Sequence, residues 1–118
     1  DTQIILNHTG MQADGIEHFD AWREGMRTLA AAPNVACKIS GLGMGDFNWT
    51  TESIRPYVEE AIAIFGIDRC MFASNFPVDK LFSSYGAIFD AFKEITASYS
   101  RDERMKLFHD NAERFYKL

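Results

Sequence analysis

The apolar positions of the chain alternate between short solid runs and helix-spaced stripes. Ile4-Ile5-Leu6 is a short apolar run that breaks into Asn7-His8-Thr9-Gly10, as a buried parallel strand followed by a turn does. From Glu17 to Ala32, Phe19, Trp22, Met26, Leu29 and Ala30 recur at helical spacing, and Pro33-Asn34 stops the helix. Val35-Ala36-Cys37-Lys38-Ile39-Ser40 reads as a second strand, and Gly41-Leu42-Gly43-Met44-Gly45 opens a flexible loop running to Thr50. A helix over 51–65 buries Ile54, Val58, Ala61, Ile62 and Phe65, tolerates Pro56 in its first turns and ends at Gly66. Arg69-Cys70-Met71-Phe72-Ala73 is a third strand, broken by Ser74-Asn75-Phe76-Pro77. A third helix over 83–99 buries Ile88, Phe89, Phe92 and Ile95. Ser100 with Glu103 forms a capping box for a fourth, and Asn111 caps a last turn ending at Tyr116.

The predicted order is β-α-β-α-β-α-α. Strand starts at Ile4, Val35 and Arg69 lie roughly 31 to 34 residues apart, the length of a βα unit. Strands that alternate with helices imply an α/β fold with a parallel sheet. No linker or low-complexity segment divides 1–118, which reads as one domain.

Composition narrows the function classes. With 47% hydrophobic and 25% charged residues the sequence is that of an ordinary globular chain, not a disordered one. No apolar run reaches the roughly 20 residues of a membrane-spanning helix. Twelve Lys and Arg against 17 Asp and Glu give a net charge of −5. The positive charges are scattered, so neither a nucleic acid nor an anionic membrane is an expected partner. Cys37 and Cys70 each sit in an apolar run and read as reduced, buried thiols rather than a disulfide. No signal peptide is visible, so a cytoplasmic location is expected. The sequence opens at Asp1, directly before a strand and without Met, so a preceding part of the protein is expected.

In parallel α/β folds the chemistry lies just past the carboxyl ends of the strands. Side-chain alternation places Ala36, Lys38 and Ser40 on one face of the second strand and Met71, Ala73 and Asn75 on one face of the third. The same rule groups Ile4, Leu6 and His8 on the first. His8, Lys38 or Ser40, and Asn75 are therefore expected to meet at one mouth. His8 can serve as metal ligand, general acid/base or hydrogen-bond donor to a carbonyl, or simply cap a turn. His18 and His109 read as surface residues. Lys38 in mid-strand must be paired: either it binds a substrate carboxylate or it forms a structural ion pair with Asp79 or Glu17. Trp49 and Phe47 either line a pocket or close the core. The glycine stretch is no phosphate loop, because no Gly-Lys-Ser/Thr follows. Asp46, Asp79 and Asp110 show no regular metal spacing, and no His-x-His, Cys-x-x-Cys or Gly-x-Ser-x-Gly is present.

Four segments together carry a resemblance. Ile-Leu-Asn-His-Thr-Gly (5–10), Cys-Lys-Ile-Ser-Gly-Leu (37–42), Arg-Cys-Met-Phe-Ala-Ser-Asn-Phe-Pro-Val (69–78) and Asn-Ala-Glu-Arg-Phe-Tyr (111–116) resemble the amidohydrolase superfamily. The amidohydrolase-2 group, with its sugar-lactone and dicarboxylate lactonases, is the most similar, and the likeness runs the length of the chain. It implies a (β/α)8 TIM-barrel hydrolase, of which this chain holds the last three βα units, since such a barrel needs about 250 residues. It implies that His8 ends the sixth strand and binds a carbonyl or a metal. Asn75 stands where an aspartate ends the eighth strand and activates water. A carboxamide cannot take a proton from water, so Asn75 orients it, or Asp79 supplies the carboxylate if its loop turns inward. Metal-free action is the other possibility; a divalent ion, Zn or Mn, would act as Lewis acid.

The expected function is hydrolysis of a lactone or related carboxylic ester or amide by activated water. His8 and Asn75 would be catalytic, and Lys38, Ser40, Trp49 and Asp79 would contact a small carboxylate or lactone substrate. The alternative is a non-catalytic half-barrel or binding module. Either way, a three-stranded parallel sheet leaves two open edges, so the rest of the barrel or a second copy is the expected partner.

Overall fold

The computed structural model describes residues 2–12 and 16–118. The chain builds a parallel sheet from β1 (Ile4–Leu6), β2 (Val35–Ile39) and β3 (Cys70–Phe72), in the spatial order β1-β2-β3. Helix α1 (Phe19–Ala30) links β1 to β2; a short α2 (Leu42–Gly45) and then α3 (Thr51–Phe65) link β2 to β3. Helices α4 (Tyr85–Ile95), α5 (Arg101–Met105) and α6 (Asn111–Tyr116) follow, with a π-helical turn, Lys106–Asp110, between the last two.

β2 lies between the other two strands: Val35, Ala36, Cys37 and Ile39 are buried, and Lys38 is half-buried. Its register pairs Ile5 with Ala36, Leu6 with Cys37, Cys37 with Cys70 and Lys38 with Met71. Residues paired across a parallel sheet point to one side. Val35, Cys37, Ile39, Cys70 and Phe72 therefore face the helices and join Ile54, Val58, Phe92 and Leu107 in the core, with Leu6 packed against them. Ile5, Ala36, Lys38 and Met71 face the other way. Cys37 and Cys70 are free and buried as register partners. Their mutual hydrogen bond and their burial push the Cys70 thiol up, so it stays protonated.

The helices follow their caps. Thr50 and Ser53 form a capping box at the start of α3, and the Gly66 N–H closes its end on the Ile62 carbonyl at φ 83°, a conformation glycine allows. The Ser100 and Glu103 capping box forms as expected. α4 stops at Ile95, short of Tyr99. The Thr96 hydroxyl turns back to donate to the Phe92 carbonyl at 2.8 Å, and the backbone leaves helical geometry there. The glycine-rich segment after β2 is not all loop: Gly41, at φ 68°, reverses the chain directly into α2.

Two side chains tie the layers together from below and beside the sheet. Arg69, just before β3, donates to the carbonyls of Ala30, Ala32, Val35 and Phe65 at 3.0 to 3.1 Å. That fixes the end of α1, the start of β2 and the end of α3 to one guanidinium. Asn111 is not the cap the sequence suggested. It lies inside the last helical run, 1% exposed, and its Nδ2 donates to the Ile67 and Cys70 carbonyls at 2.6 and 2.8 Å. The amide has gone to the buried backbone at the entrance to β3, which nothing in helical periodicity signals.

Asn111→Ala leaves both carbonyls without this donor. Urea denaturation is expected to show a loss of about 1–3 kcal/mol with an unchanged m value. An unchanged midpoint would contradict this role for the amide.

Candidate active site

All three strands end in left-handed backbone. After β1, His8, Thr9, Gly10 and Met11 have φ of 54°, 53°, 71° and 56°; after β2, Gly41 has 68°; after β3, Asn75 has 58°. Side-chain-bearing residues reach this region at a cost of roughly 1–2 kcal/mol each, so something must hold them. For the β1 turn the holder is Thr9. It is fully buried, and its Oγ1 donates to the Ser40 carbonyl at 3.1 Å and accepts from the Ser40 N–H at 3.2 Å. Trp22 donates from Nε1 to the Thr9 carbonyl at 2.8 Å, and Gln12 from Nε2 to the Leu42 carbonyl at 3.0 Å. The Trp22 ring is wedged between Phe19 and Tyr57, with centroids 5.4 and 5.0 Å away. The holding roles of Thr9, Gln12 and Trp22 leave no mark in the sequence, because each acts through backbone atoms of a distant segment. The polar run Asn7 to Gly10 was the only local signal.

This turn corrects the side-chain alternation read for β1. By register, Leu6 shares the helix-facing side with Cys37, so continuing the period to His8 would aim it away from Lys38. The strand ends at Leu6, and the left-handed turn swings His8 across to β2. There its Nδ1 lies 3.0 Å from Ser40 Oγ. Gly41 is required beside it: a Cβ on Gly41 would stand 2.9 Å from both His8 Cβ and His8 Nδ1.

At β3, the chain turns inward after Asn75. Asn75 Nδ2 donates to Asp79 Oδ1 at 2.8 Å, and the Asp79 N–H donates to the Asn75 carbonyl at 3.0 Å. Asp79 is 1% exposed. Burial pushes its carboxyl above the ordinary carboxylate range, while the Asn75 hydrogen bond and the nearby His8 pull the other way. The structure thus joins His8 to Ser40 by one hydrogen bond and Asn75 to Asp79 by another.

Lys38 and Trp49 stand differently. Lys38 is half-buried on the face shared with Ala36 and Met71, and the ion pair considered with Asp79 or Glu17 does not form. Among the described residues it has no hydrogen-bond or ionic partner. Asp79 is taken by Asn75, and Glu17 lies beside His18 instead. Trp49 is half-buried and packs against the core; Gly43 leaves room for it and for Phe82, and its indole N–H is buried without an acceptor. Phe47 is exposed and stacks on Phe82 at 4.8 Å. His18 and His109 are exposed, as the sequence suggested.

The described residues hold no group of three His, Cys, Asp or Glu side chains that could close on a metal ion. A catalytic zinc takes about three protein ligands. His8 offers one imidazole, and Asp79 already accepts from Asn75, so these residues do not by themselves make a metal centre.

Three parallel strands alternating with helices, with polar groups gathered past their carboxyl ends, define a section of a parallel α/β barrel. A family model described as Amidohydrolase matches residues 1–118, and the chain belongs to that family, amidohydrolase-2. It is 74% identical over 118 residues to the uncharacterized protein y4mH of Sinorhizobium fredii, covering all of this chain and 40% of that one. It is 31% identical over 127 residues to the L-fucono-1,5-lactonase of Burkholderia ambifaria, covering 98% of this chain and 42% of that one. It also superposes on the crystal structure of an amidohydrolase from Burkholderia multivorans with bound zinc: TM-score 0.91, 32% identity, 99% of this chain and 44% of that one. The fold is therefore that of three βα units of the amidohydrolase barrel, and the chain spans well under half the length of these relatives. Among the described residues no helix is long and apolar enough to cross a membrane.

Gly41→Ala tests the turn geometry. The methyl group meets His8 and the backbone is forced to a conformation alanine resists, so a loss of about 1–2 kcal/mol is expected. The 15N shifts of the His8 ring should move as the Ser40 contact opens. Unchanged melting and unchanged His8 shifts would contradict the packing described.

Proposed function

We propose that the polypeptide carrying this sequence hydrolyses a lactone or related carboxylic ester, with His8, Asn75 and Asp79 at the reacting centre. The observation that carries the reading is the Asn75–Asp79 pair: a buried carboxylate hydrogen-bonded to the strand-end carboxamide. The carboxylate that the strand end lacks is thereby supplied four residues later. Family membership and the lactonase relative support a hydrolase; the lactone substrate is the proposal.

In this reading the Ser40 hydroxyl donates to His8 Nδ1, which leaves the ring proton on Nε2. Nε2–H then donates to the substrate carbonyl oxygen and stabilises the oxyanion as it forms. Asn75 orients a water, and Asp79 takes its proton as the water oxygen bonds to the carbonyl carbon. Burial, which raises the basicity of Asp79, suits it to that task. Collapse of the tetrahedral intermediate breaks the ring C–O bond, and the proton passes from Asp79 to the leaving alkoxide, giving a hydroxy acid. Lys38, which has no partner among the described residues, faces the strand side opposite the helices, where it can hold a substrate carboxylate. The buried, unpaired Trp49 N–H is a second donor for substrate. A divalent metal would find one ligand in His8 and need others elsewhere.

The outer edges of β1 and β3 have no strand partner among the described residues. We propose that the remainder of the barrel, or a second copy, covers them.

The test is lactone hydrolysis by the longest polypeptide that carries this sequence, followed by pH-stat. His8→Ala, Asn75→Ala and Asp79→Asn should each lower kcat/KM by about 100-fold or more. Asn75→Asp should raise the rate or the metal affinity if the position keeps its geometry. Unchanged turnover in both His8→Ala and Asn75→Ala would overturn the assignment.

A further inference from the structure

Away from the strand ends, a cavity of about 340 Å³ opens between α4 and α5, lined by Lys93, Tyr99, Arg101, Arg104, Met105 and Phe108. Three of its six residues are cations, in a chain whose net charge is −5. Among the described residues none of the three has an ionic or hydrogen-bond partner through its side chain. Other basic residues of this surface are paired: Arg55 with Glu52 and Glu59, and Lys106 with Asp68. The carboxylates that act on Tyr99, Glu59 and Glu103, are themselves engaged, with Arg55 and with the Ser100 N–H at 2.9 Å. The Arg104 Nε is buried with no acceptor, a desolvated donor that the protein itself leaves unanswered.

The rest of the lining is two aromatic rings, Tyr99 and Phe108, and the thioether of Met105. Phe108 is held by Phe72 and Phe89, with centroids 4.7 and 6.4 Å away, and Met105 lies beside it on the same turn of chain. Burial raises the Tyr99 phenol above its ordinary value, so it remains a hydroxyl donor at neutral pH. Unpaired guanidinium and ammonium groups over an aromatic floor suit one ligand chemistry: a flat apolar ring for Phe108 and an oxyanion for Arg104, Arg101 and Lys93. The volume falls within the range of small-molecule sites, roughly 300–1,000 Å³.

We propose that this cavity is a binding site for a small organic anion, an apolar ring bearing a phosphate or carboxylate. It shares no residue with the strand-end site, so its test is independent of the hydrolase reading.

The experiment is an NMR titration of the longest polypeptide that carries this sequence with phenyl phosphate, following the Arg104 Nε–Hε and Phe108 ring signals. Both should shift saturably. Arg104→Gln and Lys93→Gln, which keep much of the aliphatic stem, should each weaken binding about tenfold without lowering the melting temperature. Arg104→Lys should restore part of the affinity. Inorganic phosphate and phenol should each bind at least about tenfold more weakly than phenyl phosphate. Three results would overturn the proposal. One is a linear drift no larger than that of the exposed Arg55. Another is equal binding by Arg104→Gln. The third is equal binding of benzamidine, an aromatic of opposite charge.

Discussion

The double hydrogen bond between Thr9 and the Ser40 backbone is the constraint on which the site depends. Thr9 is β-branched and sits at φ 53°, where such residues are rarely found. Its hydroxyl gives to the Ser40 carbonyl and takes from the Ser40 N–H, so the turn after β1 is fastened to the end of β2 at both atoms. The placement of His8 follows from that fastening. His8 is swung across the strand end onto Ser40, and Gly41 must lack a side chain because His8 occupies the space. Trp22 then reads the same turn from the helix side through the Thr9 carbonyl. Strain in the turn is offset by a buried polar contact whose partners have no alternative, which makes the geometry definite rather than loose.

Much of this architecture was legible in the sequence, and the limits have physical reasons. Strands and long helices emerged because burial imposes a pattern on them: β2 buries Val35, Ala36, Cys37 and Ile39, and α3 carries its stripe of Ile54, Val58, Ala61, Ile62 and Phe65. Caps emerged because they are local, as with Ser100 and Glu103. Periodicity failed at His8 because it applies only while the strand continues, and β1 ends two residues earlier. It failed at Asn111 because a buried amide serving the Ile67 and Cys70 carbonyls is a contact across more than 40 residues of chain. The convergence of His8 with Ser40 was foreseen by a rule that does not produce it; the left-handed turn does.

In the proposed function, the chemistry of the site rests on a carboxylate displaced from the strand end. Asn75 ends its strand with a group that can orient water but cannot accept its proton. The tight turn that follows brings Asp79 back under Asn75, with hydrogen bonds between both side chains and both backbones. Burial raises the affinity of Asp79 for a proton, and two neighbours restrain the rise. The site therefore has an acceptor on one side and an imidazole on the other, assembled from loops that belong to different βα units.

The most direct test of this account is the pH titration of the Asp79 carboxyl carbon by NMR. The account predicts a midpoint above the ordinary aspartate value of 3.8, rising further in Asn75→Ala and in His8→Ala, since each substitution removes a group that favours the carboxylate. A midpoint at or below that ordinary value, unmoved by either substitution, would contradict it.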